Sequence, residues 1–350
     1  MTMRLRRQVG KSDDAFVDDF EALLASSAQD LADTSDRTQS LMERLPTLVD
    51  AAFGERRAEA LLSVHQTLFL IYELTFLNPM APAVQHEHRP WLARIRNTLE
   101  EAWLRCENRE ISEQLPPVPV ASDFDSLCAW LIDQAKIRTK ADAELESFMA
   151  ERASLAAMRE FVRIDMHLNY RFYDVLALAQ LHYSEAVKAE IAGHMWDECG
   201  RGDSKHAHTR LFSDLALRLD LDPVAAPCWQ DWRPYAGYNL YLLFGLNRRH
   251  YFKSIGSLTM PELFDPDRDR AIIAGAIRLG FDPEGDFGYY NAHIEGDEQH
   301  GPSWLKSVVG PILSVQPDAG PDIAFGAALR MEYMRRFNRY LLGTLTVDGA

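Results

Sequence analysis

An all-α bundle is the fold class this sequence predicts, and three observations point to it. Apolar residues recur at three- and four-residue spacing along most of the chain. Apolar–polar alternation at period two is nearly absent. No glycine-rich phosphate loop, no G-x-S-x-G turn and no internal repeat breaks the pattern, so α/β and solenoid architectures have no support. The chain has 350 residues and is 47% hydrophobic, enough to core one large domain or two modest ones.

Residues 1–12 are polar and are expected to be disordered. From 13 to 32, Phe16, Phe20, Leu23, Leu24 and Leu31 mark an amphipathic helix. A polar connection follows at about 33–40. Residues 58–76 and 91–107 form a helical hairpin, the second helix carrying Trp91, Ile95, Leu99 and Trp103 at four-residue spacing. Pro116, Pro117 and Pro119 lie in a linker at 115–122, where a helix cannot continue. The expected division is therefore an N-terminal helical extension at 13–114 and a main domain at 123–350. Ser122 is the expected N-cap of the first helix beyond the linker.

In the main domain, 155–181 reads as one long helix or two joined end to end. Ser184 opens the next, which stops at Gly200. Asp203 or Ser204 caps a helix carrying His206, His208, Leu211, Leu215 and Leu219. An aromatic-rich core segment spans 229–252. Pro266 opens a helix ending at Gly280. The run around His293 continues towards Val309, with Gly301 and Pro302 expected to bend or break it. A last helix covers 321–342.

The formal net charge is −15, and no dense Lys/Arg run is interleaved with aromatics. That argues against nucleic-acid binding, which needs a basic surface to neutralise phosphates. No apolar run reaches the length of a membrane span. The basic N-terminus is followed by no apolar signal region, so a cytoplasmic location is expected. Four cysteines occur without a C-x-x-C pair, which reads as reduced, mostly buried thiols.

The chemistry-bearing residues lie in the last half of the chain. His293, Asp297 and His300 stand at i, i+4 and i+7, within about 60° of one another on a helix. Two imidazoles and a carboxylate on one stripe make half a shell for a transition metal. The plain alternative is a polar helix face with an aspartate salt-bridged between surface histidines. Glu198 ends one helix and His208 starts near the next, with Gly200 and Gly202 permitting a tight reversal between them. Glu262 is the third element, though it also reads as an acidic residue following a helix-opening proline. Several carboxylates and three histidines on separate helices suit a di-iron or di-manganese carboxylate centre. Cysteine ligands of the structural-zinc type are missing. So is the ferritin-type Glu-x-x-His pair at Glu198 and Glu262.

In order and spacing, Trp196, Asp197, Glu198, Gly200, Gly202, His208, Leu211, Phe212, Glu262, Arg278, Leu279, Gly280, His293, Asp297 and His300 resemble the heme-oxygenase-like diiron oxidases, the iron-containing redox enzymes. The likeness covers about residues 150–320. It implies a heme-oxygenase-like helical bundle binding two Fe(II) ions, with O2 as co-substrate. It implies ligation by His208, Glu262, His293, Asp297 and His300, with Glu198 as a mobile or bridging carboxylate. The family supplies one more glutamate from the preceding long helix, where this chain has Phe172, 36 residues before His208. Asp165 lies two turns earlier on that face. Either Asp165 completes the first iron, or Glu198 does, or one metal is held tightly and the other weakly.

The resemblance implies an O2-dependent non-heme diiron oxidoreductase that N-oxygenates or oxidatively cleaves an amino-acid-like small molecule in specialised metabolism. An external electron donor and a homodimer accompany that expectation. Fatty-acid oxidative decarboxylation within the same family is the first alternative. Thiaminase-like chemistry and a metal-free binding protein, both on the same fold, are the others.

Overall fold

The computed structural model describes residues 15–26, 36–114, 123–137, 140–181 and 184–347, and within them omits the side chains of 112–114, 140, 264–266, 295–299 and 347. The predicted disorder of 1–12, the proline-rich stretch 115–122 and the expected cap at Ser122 lie outside the described residues. Fourteen α-helices and no strand occur among the described residues. No helix among them is long and apolar enough to cross a membrane.

The helices are α1 (Ala15–Leu24), α2 (Asp36–Val49), α3 (Ala58–Glu73), α4 (Pro90–Gln114), α5 (Phe124–Lys136), α6 (Lys140–Glu151) and α7 (Leu155–Ala179). They continue as α8 (Glu185–Glu198), α9 (His208–Arg218), α10 (Trp232–Leu246), α11 (Tyr251–Arg278), α12 (Gly288–Trp304), α13 (Gly310–Val315) and α14 (Gly320–Val347). The chain divides into two units. The first comprises Met1–Gln114 with Ala226–Leu240, and the second Leu115–Ala225 with Tyr241–Ala350.

The first unit buries one stripe of each helix, including Phe20, Leu23, Leu68, Ile95, Leu99 and Trp103. Two of its buried polar contacts tie separate segments together. Tyr72 donates to Glu100 at 2.9 Å, and the Asn239 amide donates to the His65 carbonyl at 2.8 Å.

In the second unit α11 packs against α14, α12 and α6. Ile255, Leu258, Met260, Ile272 and Ala276 of α11 are fully buried. α12 approaches α11 closely at Gly301, where a Cβ would stand 2.8 Å from the Glu262 carbonyl oxygen. A residue with no side chain at 301 thus lets His300 and Glu262 come together.

Several boundaries differ from expectation. α11 runs through Pro261 and Pro266 instead of opening at Pro266. An interior proline costs about 3 kcal/mol, and packing on three sides offsets it. α12 likewise continues through Pro302, and a π-helical turn at Leu305–Val309 follows it. α2 begins at Asp36, inside the expected polar connection, and it accommodates Pro46. Asp123 caps α5 by accepting from the Ser126 amide at 2.8 Å. α9 starts at His208 after Ala207, so neither Asp203 nor Ser204 caps it, and His206 lies in the preceding turn.

Candidate metal centre

The site begins at the corner between α8 and α9. Gly200, Arg201 and Gly202 all have positive φ, at 66°, 53° and 88°. Three left-handed residues in a row reverse the chain. A Cβ on Gly200 would sit 2.4 Å from the Ala207 nitrogen, so only glycine fits there. Arg201 is held in its strained conformation by Asp197, whose carboxylate lies 2.6 Å from its Nε. The turn is closed by Asp203, which accepts from the Lys205 amide at 3.0 Å. The reversal places His208 Nδ1 3.1 Å from Glu198 Oε2.

His293 of α12 completes this group. Its Nε2 is 3.8 Å from Glu198 Oε1, and its ring centroid is 4.4 Å from that of His208. Its Nδ1 lies 2.8 Å from the Tyr289 carbonyl. A carbonyl only accepts, so Nδ1 carries the proton and Nε2 turns a lone pair towards Glu198.

A second triad stands one helical step away. Glu190, His194 and Glu198 recur every four residues on α8 and share a face. His194 Nδ1 lies 3.6 Å from Glu262 Oε1, and His300 Nδ1 lies 3.5 Å from Glu262 Oε2. The two rings are 4.2 Å apart. Each imidazole has a carboxylate on its far nitrogen. His300 Nε2 donates to Asp197 at 3.0 Å, and His194 Nε2 is 3.4 Å from Glu190 Oε1. Ser303 Oγ donates to the same Glu190 oxygen. Carboxylates behind histidines fix the tautomer that points a lone pair inward, a common arrangement behind metal-ligating rings.

Both groups carry the signature of a cation site. Glu198, His208 and His293 offer donor atoms all within 4.8 Å of one another, as do His194, Glu262 and His300. Both nitrogens of His194, His208 Nδ1 and Glu262 Oε2 are buried with no hydrogen-bond partner. Orphaned buried lone pairs facing one point cost free energy unless a cation satisfies them. Two donors each about 2.1 Å from one ion stand roughly 3–3.5 Å apart, close to the spacings found here. Two imidazoles and one carboxylate, with no thiolate, form the donor set that suits non-heme Fe(II) and leaves coordination positions open. Burial disfavours the charged form of Glu198 and Glu262, yet the facing imidazoles, when protonated, outweigh it by hydrogen bonding and charge and hold both carboxyls below the usual range.

Five residues expected from the sequence are thus brought together, but in two triads: Glu198, His208 and His293 in one, Glu262 and His300 in the other. The side chain of Asp297 lies outside the described residues. Asp165 is in neither triad. It accepts from Tyr290 at 3.2 Å and from the Asn169 amide at 3.0 Å, and Arg268 stands 3.8 Å away. His206 pairs with Asp203 at the surface. Sequence reading missed His194, although its four-residue spacing from Glu190 and Glu198 is a visible signal.

Both triads line one cavity of about 1140 Å³. Leu168, Phe172, Leu176 and Tyr241 give it an apolar wall. Phe172, at the place where a further glutamate is expected, packs edge-on against Tyr241 with ring centroids 6.2 Å apart. Tyr289 closes the triad side, its hydroxyl donating to Asn169 at 2.8 Å and its ring 4.3 Å from His293. Burial holds that phenol far above its ordinary pKa, so it stays protonated.

No curated protein matches the chain. A family model described as iron-containing redox enzyme, of the heme-oxygenase-like type, matches residues 159–335. That span holds both triads and the helices that carry them. An all-α fold, paired sites suited to iron and a match over half its length place this chain in the iron-containing redox enzyme family.

Proposed function

We propose that this oxidoreductase is a non-heme diiron oxygenase or oxidase that uses O2 to N-oxygenate or oxidatively cleave a small amino-acid-like molecule. One observation carries the reading: two His2Glu triads on one cavity. Glu198, His208 and His293 would hold one iron, and His194, Glu262 and His300 the other. Bound iron supplies the one-electron chemistry with O2 that no side chain here offers. Three ligands per ion leave positions open for O2 and substrate.

The chain's own residues do the rest. The Tyr289 carbonyl and Asp197 keep a proton on the far nitrogen of His293 and His300, so the near nitrogen remains a ligand. Glu190 stands 3.4 Å behind His194 Nε2 without a hydrogen bond to it. Leu168, Phe172 and Leu176 exclude water from one side of the cavity. Electrons beyond those held by the two ions come from an external donor.

The apolar wall also favours a second reading, oxidative decarboxylation of a fatty acid by the same centre. The test is anaerobic reconstitution with Fe(II) followed by O2. About two irons per chain, rapid O2 consumption and a transient visible absorption are expected. Protein that takes up no iron and consumes no O2 would sink both readings and leave a metal-free binding protein. Product analysis with amino-acid and fatty-acid substrates separates the first two.

A further inference from the structure

Three arginines line the cavity: Arg201, Arg268 and Arg330. Arg201 faces Asp197 at 2.6 Å. Arg268 faces Asp165 and Asp269 at 3.8 and 3.7 Å. Arg330, on α14, differs from both in facing no carboxylate among the described residues. It is only 7% exposed, its Nε is buried with no hydrogen-bond partner, and it makes no ion pair among the described residues. Among the described residues it lies over Tyr241, the guanidinium carbon 4.5 Å from the ring centroid.

An arginine cannot shed its proton in a protein. A buried, unpaired guanidinium is therefore expensive, and a ring face meets only part of its needs. Its five donors lie in the guanidinium plane, which matches the two oxygens of a carboxylate. No described side chain pairs with this guanidinium, and it lines the cavity, so a partner can reach it from there. One unpaired positive charge calls for one negative charge. The other two arginines already face carboxylates, so the wall suits a monoanion better than a phosphate dianion.

We propose that Arg330 anchors the carboxylate of a substrate whose apolar body lies along Tyr241, Phe172, Leu168 and Leu176. The proposal rests on the cavity being the substrate site, but not on iron being bound. It fits both an amino acid with an apolar side chain and a fatty acid. The shared chemistry is a monocarboxylate beside a hydrophobic surface.

The test is isothermal titration of the full chain, freed of metal by chelation and dialysis. The probes are octanoate and octanamide, and L-phenylalanine and L-phenylalaninamide. At least one acid should bind, and roughly ten- to a hundredfold tighter than its amide, the value of a charge-assisted hydrogen bond. Arg330→Met should abolish that preference, and Arg330→Lys should keep part of it. The acid that binds identifies the source, fatty acid or amino acid. Arg330→Met should also melt at the same or a higher temperature, because an unpaired charge has been removed. No saturable binding of either acid would overturn the proposal. So would equal binding of acid and amide, a preference that survives Arg330→Met, or a lowered melting temperature that marks Arg330 as structural. Iron uptake, measured in parallel, should not change in Arg330→Met. Wild-type protein that takes up no iron would sink the diiron reading and leave the carboxylate anchor standing.

Discussion

His208 Nδ1 and Glu198 Oε2 lie 3.1 Å apart although a full reversal of the chain separates them. His194 and Glu262 form the matching pair of the second triad, at 3.6 Å. If each triad holds its own ion, His208→Ala and His194→Ala should remove different irons. Each single variant should retain about one iron per chain after anaerobic reconstitution and gel filtration, and the double variant almost none. Iron counting by a chromogenic chelator checks this. A single variant that loses all iron would mean that the triads are one cooperative site.

That division was only partly visible in the sequence. The stripe of His293 and His300 was legible because a seven-residue offset returns to the same helix face. The same offset also spans about 10 Å along the axis, so the two rings serve different points. Which acid meets which ring depends on α8 and α11, and no local spacing reports that. The corner was legible from Gly200 and Gly202, since few other residues tolerate positive φ. His194 was not. A reading that weighs only the last turn of α8 passes over an imidazole one turn earlier. The prolines misled for a different reason. As local stops they signal boundaries, but Pro261 and Pro266 sit in a helix whose residues Leu258, Met260 and Ile272 are fully buried. Tertiary packing outweighs the local cost there, and a one-dimensional pattern does not contain it.

Gly200 supplies a test of the corner itself. Gly200→Ala adds a Cβ 2.4 Å from the Ala207 nitrogen at a φ of 66°. The strain should cost roughly 1–3 kcal/mol, with the steric clash adding to it. The larger effect should be chemical. A corner that shifts separates Glu198 from His208, so iron at that triad should be lost while the His194 triad still loads. Gly193→Ala is the control, because a Cβ there meets nothing within 4 Å. It should gain about 1 kcal/mol of helix stability with no change in iron content. Urea denaturation and iron counts on both variants check the pair.

Asp197 acts on the second triad from behind. It accepts from His300 Nε2 at 3.0 Å and faces Arg201 at 2.6 Å. Burial disfavours its charged form, but Arg201 and His300 outweigh burial and hold it ionised. Asp197→Ala should weaken Fe(II) binding at this triad by roughly ten- to a hundredfold, the usual effect of losing a partner behind a metal-bound histidine. The measurement is chelator competition in a His208→Ala background, where one site remains. Unchanged affinity would show that His300 needs no support from Asp197.

His250 should make stability depend on pH from a place outside both triads. It precedes α11, is 9% exposed, and both ring nitrogens are buried without hydrogen-bond partners. Its ring packs edge-on against Phe244 at 5.9 Å. Burial, and then the nearby Lys253 and Arg249, push its pKa down from 6.5 to about 4, with Asp322 opposing. The unfolded chain therefore takes up a proton at a higher pH than the folded chain does. Stability from this group is constant above about 6.5, falls as pH drops from 6.5 to about 4, and changes no further below that. The total loss is at most about 3 kcal/mol. His250→Leu removes the titrating group while keeping an apolar contact with Phe244. Urea unfolding of metal-free protein at pH 7.5 and pH 5 should show a smaller drop for this variant than for wild type, by about 1–2 kcal/mol. Equal drops in the two proteins would place the acid sensitivity outside His250; Glu198 and Glu262, whose pKa values are lowered from 4.5, lose their contribution only at more acidic pH than this comparison covers.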